Sequence, residues 1–463
     1  MRNRSIMEPI THLNIVVEGV AFNRLLELEI RHSVNEHGIA VVTGEMDADM
    51  AKDYLSRVDE KTSIRILTTA EGQPNVLFHG VVSNAGIETV NEYVMLKLAL
   101  TSTSVLTDIE KVNKSYQNTG KNYEAIMTQA VNGKAVIDMQ ITDKAIGNMI
   151  VQCNESGWEF CKRMASRLGA PIITSINEQR PTITVGIPQR GKTYNLNEVE
   201  TKVQSNGNKM EDMMTEDTLG INIKTTQYMF LGDKVSYGAG DQRVRGVYAT
   251  LISGMLITTV CVGREMGFKQ PIIVNNQIAG KMYTGKVEGV KGDTVQVHLT
   301  DIDSEFDGES TVWLPYSTAY SSSDGSGFYC MPAEGDMVRV FFPGSDEGEA
   351  FAASSVSVNV GADITDKQWT GPNGKQILLT KEGIYITTNA NENKIFIDLT
   401  DEGGITIKSN KNINICAKNN LSLISNNNIS LTAENDILIS SAESFIDIKP
   451  DGIEIGGDNV VIK

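Results

Sequence analysis

The stretch Ile407–Ser440 reads IKSNKNINICAKNNLSLISNNNISLTAENDILIS, and its apolar residues recur every eight positions. The recurrence runs from residue 405 to residue 461, and in most repeats a second aliphatic follows two positions after the first. The first members are Ile405, Ile413, Leu421, Ile429, Ile437, Phe445, Ile453 and Val461, and the second members are Ile407, Ile415, Leu423, Leu431, Ile439 and Ile455. Residues two positions apart share one face of a strand, and the Asn- and Ser-rich segments between pairs are typical of turns. The repeat therefore predicts a stacked β architecture.

The length of the repeat also predicts an oligomer. Eight residues make one strand and one corner, so a single chain would need three repeats for each coil of a three-walled prism. Repeat stacks need about three or more units to bury a continuous core. If three chains wind together, every aliphatic pair meets two copies of itself on a common axis. We therefore expect an intertwined homotrimer with these residues on its axis, and a single-chain β-solenoid is the alternative.

Composition narrows the classes of function. The chain has 463 residues and a formal net charge of −17, which argues against nucleic-acid binding and against attraction to an anionic membrane surface. Five scattered cysteines show no disulfide or zinc spacing, and no cofactor is expected. The N-terminal residues lack an apolar core of signal-peptide length. We expect a protein that is made and assembled in the cytoplasm.

Residues 246–263, GVYATLISGMLITTVCVG, contain no charged residue. Their length allows a short membrane-spanning helix. Their density of β-branched residues and the Ser253-Gly254 pair instead favour two buried strands that are joined by a tight turn.

The rest of the chain reads as mainly β with a few helices. Residues 1–270 alternate strand patterns with two helices, near 122–132 and 157–168. The second helix begins with a capping box in which Ser156 is the N-cap and Glu159 follows three positions later. Residues 279–358 contain about five short strands, which suits a small barrel of the OB type. Residues 359–376 form a linker, and residues 377–463 form the repeat domain.

Four motifs in this order resemble one family. The segments FHGVVSNAGI, LKLALTSTSVLTDIEKVNKSYQN, VQCNESGWEFCKRMASRLGAPI and FYCMPAEGDMVRVFFPGSDEGEA are similar to segments of the VgrG spikes of type VI secretion and of the hub-and-spike proteins of contractile phage tails. Together with the octad repeat, the resemblance covers nearly the whole chain. It identifies the chain as a member of this hub-and-spike family.

The resemblance implies a structural homotrimer without enzymatic activity, delivered outside the cell as part of a phage-tail-like particle or secretion apparatus. Residues 1–270 would form a hub of two β-barrel-like lobes that docks on the inner tube protein and the baseplate. The OB-fold would form a neck, and the repeat a triple-stranded β-helix that pierces a target envelope and touches its membrane transiently. A PAAR-like tip protein would contact Val460, Val461, Ile462 and Lys463, and effector cargo could be carried. No lysozyme-like insert or C-terminal effector domain fits the chain.

Two other functions stay open at this stage. A tail-associated hydrolase of cell-wall or surface polysaccharide would need an acidic or histidine cluster on one wall of the stack, and the octads show Asn, Ser and Thr there. A receptor-binding fibre would need a globular tip after the stack. The acidic segment 301–309, DIDSEFDGE, fails the spacing of a calcium loop and is expected to be a solvated hairpin.

Overall fold

The computed structural model describes residues 8–70, 72–189, 191–196, 200–205, 213–237, 240–355, 363, 365–371, 373–388 and 395–461, and it divides into two compact units, Met1–Val358 and Asn359–Lys463. The fold is mainly β, as the sequence predicted. The strands are β1 (Ile15–Val17), β2 (Arg24–Ser33), β3 (Ile39–Glu45), β4 (Ser63–Thr68), β5 (Asn75–Val90), β6 (Tyr93–Ser102), β7 (Lys111–Tyr116), β8 (Val136–Met139), β9 (Ile150–Ser156), β10 (Ile172–Thr174), β11 (Thr182–Val185), β12 (Thr193–Asn195), β13 (Glu200–Ser205), β14 (Leu219–Thr225), β15 (Lys234–Tyr237), β16 (Gly240–Ile252), β17 (Met255–Gly263), β18 (Met282–Lys291), β19 (Thr294–His298), β20 (Leu314–Ser317), β21 (Met337–Phe341), β22 (Phe351–Ser355), β23 (Lys367–Thr370), β24 (Gln376–Leu379), β25 (Gly383–Thr387), β26 (Ile395–Thr400), β27 (Gly404–Ser409), β28 (Ile437–Ser441), β29 (Ser444–Lys449) and β30 (Gly452–Gly456). The α-helices are α1 (Ala48–Arg57), α2 (Tyr123–Ala130) and α3 (Gly157–Arg167), and short 3-10 helices cover Thr103–Thr107, Thr215–Thr218, Glu265–Phe268 and Glu347–Glu349.

A twelve-stranded sheet dominates the first unit. Its main path runs β1-β4-β5-β6-β3-β2-β16-β17-β14-β13, and off this path β15 pairs with β16 and β12 pairs with β15. The antiparallel pairing of β2 with β16 joins strands from the first hundred residues to strands beyond residue 200. One hydrophobic core packs against both groups and includes Leu28, Phe78, Leu98, Val244 and Val260. This pairing of distant segments is a tertiary feature that alternating apolar residues do not reveal.

The uncharged segment 246–263 folds as the predicted hairpin. Strands β16 and β17 pair antiparallel up to Ile252 and Met255. Ser253 and Gly254 between them have φ of 51° and 81°. Positive φ at both central residues gives the turn twist that matches two antiparallel strands. Among the described residues, no helix is both long enough and apolar enough to cross a membrane.

Helix α3 starts at the capping box that the sequence predicted. The Ser156 side chain accepts a hydrogen bond from the Glu159 amide, and the Glu159 carboxylate accepts one from the Ser156 amide. Trp158, Cys161 and Ala165 are buried in the cluster that α3 shares with α2 and with strands β8, β10 and β11. Because the cluster surrounds the thiol, burial raises the pKa of Cys161 far above its ordinary value. The apolar stripe is therefore a packing face, as expected from its spacing.

Strands β18, β19, β20, β22 and β21 close the small barrel that the sequence predicted. Alternate residues of these strands point inward and are fully buried, among them Val287, Val295, Val297 and Val338. Closure leaves no sheet edge for pairing with other chains along the barrel.

A buried ion cluster fastens the barrel to α3. The Arg163 guanidinium donates to Glu155 at 2.7 Å and to Glu347 at 2.9 Å, and Arg167 donates to the second Glu347 oxygen at 2.7 Å. The side chains of Arg163 and Glu347 are each 1% exposed. Removing one member of such a cluster leaves an uncompensated buried charge, which is strongly destabilising. No sequence pattern linked residue 163 to residue 347, because only the tertiary fold brings them together.

The acidic segment 301–309 is not the solvated hairpin that the sequence predicted. The Asp303 carboxylate accepts hydrogen bonds from the Ser115 amide at 2.9 Å and from the Ser115 hydroxyl at 2.5 Å. Asp307 pairs with Lys121 at 3.3 Å. Burial raises the pKa of Asp303. These carboxylates bind β7 and the segment after it, a role that depends on contacts almost two hundred residues apart in sequence.

Candidate oligomer interface

The aliphatic pairs of the second unit line up across an antiparallel meander. Strands β23 to β27 follow one another in the sheet in chain order. Their register places four aliphatics in each of two rows. One row is Ile377, Ile386, Ile397 and Ile407, and the other is Leu379, Ile384, Leu399 and Ile405. Directly paired residues share a face of the sheet, so all eight lie on the same face.

This face is exposed in the single chain. The exposed fraction of the eight residues ranges from 37% for Ile377 to 72% for Ile405. Contiguous apolar surface of this kind marks interaction sites in soluble proteins, since burying it is favourable by about 25 cal/mol per Å². The face can therefore support an interface with another apolar surface.

Residues 410–436 form no strand within the chain, although the structure describes all of them. They contain three of the predicted pairs, which are Ile413 with Ile415, Leu421 with Leu423, and Ile429 with Leu431. The exposed fractions of these six residues lie between 53% and 67%. A segment that lacks strand partners and carries regularly spaced aliphatics is suited to pairing with other chains. A single-chain solenoid would pair successive octads with one another, and this segment shows no such pairing.

The last repeats form a second meander, of β28, β29 and β30. The register places Ile439 opposite Ile446 and Ile446 opposite Ile455, and a second row runs through Ile437, Ile448 and Ile453. Ile446 and Ile448 were not predicted to lie in these rows, because they fall outside the eight-residue register. The alternation in SFIDIK was the signal that could have found them.

Phe445 differs from the other predicted axis residues. It lies opposite Ser440 and Gly456, on the other face of the meander from Ile446. Its ring lies over Gly456, where an added Cβ would approach the ring to 2.5 Å. The physical reason is the hairpin between Ser441 and Ser444, which reverses the strand, so that the next octad position falls on the opposite face.

The predicted tip contacts are described only in part. Val460 and Val461 are 50% and 74% exposed and lie beyond β30. Ile462 and Lys463 lie outside the described residues.

Two of the acidic residues near the end of the chain form ion pairs with one lysine. Lys449 contacts Asp447 and Glu454, each at 3.0 Å, and both carboxylates raise the pKa of the lysine. Within the described ranges, no group of three or more His, Cys, Asp or Glu side chains has a geometry that could hold a metal ion. The chemistry offered by this unit is apolar packing and strand pairing.

Solved structures with the same fold are known, although their sequences are very different. No protein-family model matches the chain, and no curated protein matches its sequence. The structure is similar to the E. coli c3393 protein, which is described as a component of the type VI secretion system with structural similarity to the phage T4 tail proteins gp27 and gp5. The TM-score is 0.52 at 13% identity, over 74% of this chain and 99% of that chain.

A second similar structure is the half-lidded Francisella PdpA–VgrG complex. The TM-score is 0.54 at 9% identity, over 87% of this chain and 88% of that chain. The lidded form of the same complex gives a TM-score of 0.53 at 10% identity, over 85% of this chain and 79% of that chain. The chain therefore has the fold of the VgrG and phage-tail hub-and-spike proteins, the family that its sequence motifs resemble.

Proposed function

We propose that three copies of this chain form the central spike of a contractile injection machine. The observation that carries the proposal is the exposed aliphatic surface of the second unit, in the two meanders and in the aliphatic pairs of residues 410–436 between them. Three copies in register would bury these aliphatics against one another and give residues 410–436 strand partners. A prism closed in this way has no free edges and resists local opening.

The first unit would be the hub and the neck in this assembly. Solved structures of the same fold include a component of the type VI secretion system and a PdpA–VgrG complex. By this analogy, residues 1–270 dock on the inner tube protein and the baseplate, and the barrel leads into the spike. Contraction would drive the spike through the target envelope. Val460 and Val461 would lie close to a PAAR-like tip protein, and the spike would carry effector cargo.

The test is the mass of the purified full-length chain in solution, measured by light scattering. We expect three times the chain mass of 50.5 kDa. A monomer at micromolar concentration would refute the proposal, because the aliphatic rows would then be stable in water without a partner.

A second measurement separates the trimer from the machine. The particle fraction of the producing cells is collected and probed for this chain together with the tube and sheath proteins. We expect the chain to sediment with the tube, at one trimer for each particle. A trimer that never associates with tube protein would support the oligomer and refute the injection role.

A further inference from the structure

A cavity of the first unit, about 1140 Å³ in volume, lies between the small sheet of β8, β10 and β11 and the chain around residues 188–195 and 226–233. We call it the hub cleft, and we define it by Asp138, Glu178, His32 and Gln227, all of which line it. Its volume is in the range of sites that hold small ligands or peptide side chains.

Two carboxylates that line the hub cleft accept hydrogen bonds from threonines of β11. Asp138 accepts a hydrogen bond from Gln140 at 2.8 Å and one from Thr184 at 3.4 Å. Glu178 accepts one from Thr182 at 2.7 Å. Thr182 and Thr184 are two positions apart on β11, so they project from the same face about 7 Å from each other. The lining therefore presents two negative charges, each held by a threonine of the same strand.

His32 adds an unpartnered ring nitrogen to the lining of the hub cleft. Its ring is 98% buried, and Nε2 lies 3.1 Å from the Thr174 hydroxyl, which itself lies within reach of the Glu36 carbonyl. If the Thr174 hydroxyl donates to the Glu36 carbonyl, the hydroxyl oxygen accepts a hydrogen bond from Nε2–H of His32. Nδ1 of His32 then carries a free lone pair. Nδ1 has no hydrogen-bond partner in the described part of the chain. Burial lowers the pKa of His32 to about 3, so the ring is neutral at physiological pH.

Gln227 supplies a second unpartnered acceptor. Its side-chain oxygen is buried and makes no hydrogen bond to any described residue. Of the charged residues among the described lining, Lys192 is the one cation, while Glu8, Asp138, Glu178 and Asp233 are acidic. Buried acceptors without donors cost free energy, which a ligand that carries donors would restore.

From these acceptors we infer that the hub cleft binds an alkylammonium group, either on a lysine side chain of a partner peptide or on a linear polyamine. An ammonium has three donors and no acceptor, which matches a lining of carboxylates and acceptor atoms. This inference does not depend on the trimer or on the injection role. It concerns a site in the first unit, and the repeat contributes no residue to it.

The experiment is calorimetric titration of the full-length protein with tetralysine and separately with spermine, at physiological salt. We expect saturable binding of at least one probe, weakened about tenfold in Glu178→Gln and in Asp138→Asn, since each removes one charge-assisted hydrogen bond. Gln227→Met, which removes one acceptor and keeps the side-chain length, should weaken binding by a smaller factor. Competition by spermine for the tetralysine site identifies a polyamine as sufficient, and binding of tetralysine alone identifies a peptide.

The matched control is Glu88→Gln, which removes an exposed carboxylate from β5 outside the hub cleft. It controls for non-specific attraction between a polycation and a chain of charge −17. Equal weakening by Glu88→Gln and Glu178→Gln would overturn the inference, and so would the absence of binding by both probes at millimolar concentration. Unchanged thermal unfolding of the Glu178→Gln and Asp138→Asn proteins shows that a loss of binding reflects the site.

Discussion

Ile429→Glu is the sharpest test of the proposed axis. Ile429 is 56% exposed in the single chain and lies in residues 410–436, which form no strand of their own. Burial of a whole isoleucine side chain contributes about 1.5–3 kcal/mol, so covering the exposed half contributes about 1 to 1.5 kcal/mol per chain. Three copies then contribute about 3 to 5 kcal/mol to the trimer.

The substitution also places three carboxylates near the axis. Each would lose hydration without a cationic partner, at a cost of several kcal/mol per charge unless the carboxyl becomes protonated. The combined loss is comparable to the whole stability of a typical domain, about 5–15 kcal/mol. We therefore expect the variant to be monomeric or to melt far below the wild type at neutral pH, and to recover partly at acidic pH as the carboxyls protonate.

The assay is light scattering together with thermal unfolding monitored by circular dichroism. Ser430→Glu is the matched control, since it places the same charge one position away, on the face that the repeat predicts to be outward. We expect this control to remain trimeric. A native trimer with Ile429→Glu, or equal disruption by both variants, would refute the assignment of Ile429 to the axis.

Three further predictions concern the first unit. Glu347→Gln removes the carboxylate that Arg163 and Arg167 share, and we expect it to lower the free energy of unfolding by about 3–5 kcal/mol in urea titrations. Gly254→Val forces a β-branched residue into a φ of 81°, and its Cβ would meet the His12 ring nitrogen at 2.8 Å. We expect the free energy of unfolding to fall by about 1–2 kcal/mol or more. Burial lowers the pKa of His32 to about 3 in the folded state, whereas this pKa is near 6.5 in the unfolded chain. Below about pH 6.5 the unfolded chain therefore binds a proton that the folded chain does not. The contribution of His32 to the free energy of unfolding is present above about pH 6.5 and falls by about 1.4 kcal/mol per pH unit below it.

Each of these predictions has a control. Arg57→Gln removes a surface ion pair with Asp53 in which both side chains are more than half exposed, and it should change stability by less than about 1 kcal/mol. A Glu347→Gln protein as stable as this control would contradict the role of the buried cluster. Gly254→Asn should be tolerated better than valine, because asparagine adopts positive φ more readily. A pH dependence unchanged in His32→Gln would show that another group causes it.

Local features were predictable from sequence because they depend on neighbouring residues. The capping box at Ser156, the hairpin at Ser253-Gly254 and the five short strands of the barrel each follow from hydrogen bonds, φ preferences or alternation within a few positions. The motifs and the octads likewise indicated the hub-and-spike fold, which the solved structures share at identities of 13% or less. The aliphatic rows of the repeat domain were also visible as pairs at fixed spacing.

Only the tertiary structure decided which distant residues meet. The sequence could not place Arg163 against Glu347, bring Asp303 to Ser115, or close the hub cleft around Asp138 and Glu178, because each of these contacts depends on how separate elements pack. It also put Phe445 in the octad register, whereas the hairpin before it turns that ring to the opposite face and brings Ile446 and Ile448 into the rows. Spacing along the chain thus determined that strands form and which of their faces are apolar. Strand direction and long-range packing, which depend on turns and on the whole core, determined what those faces meet.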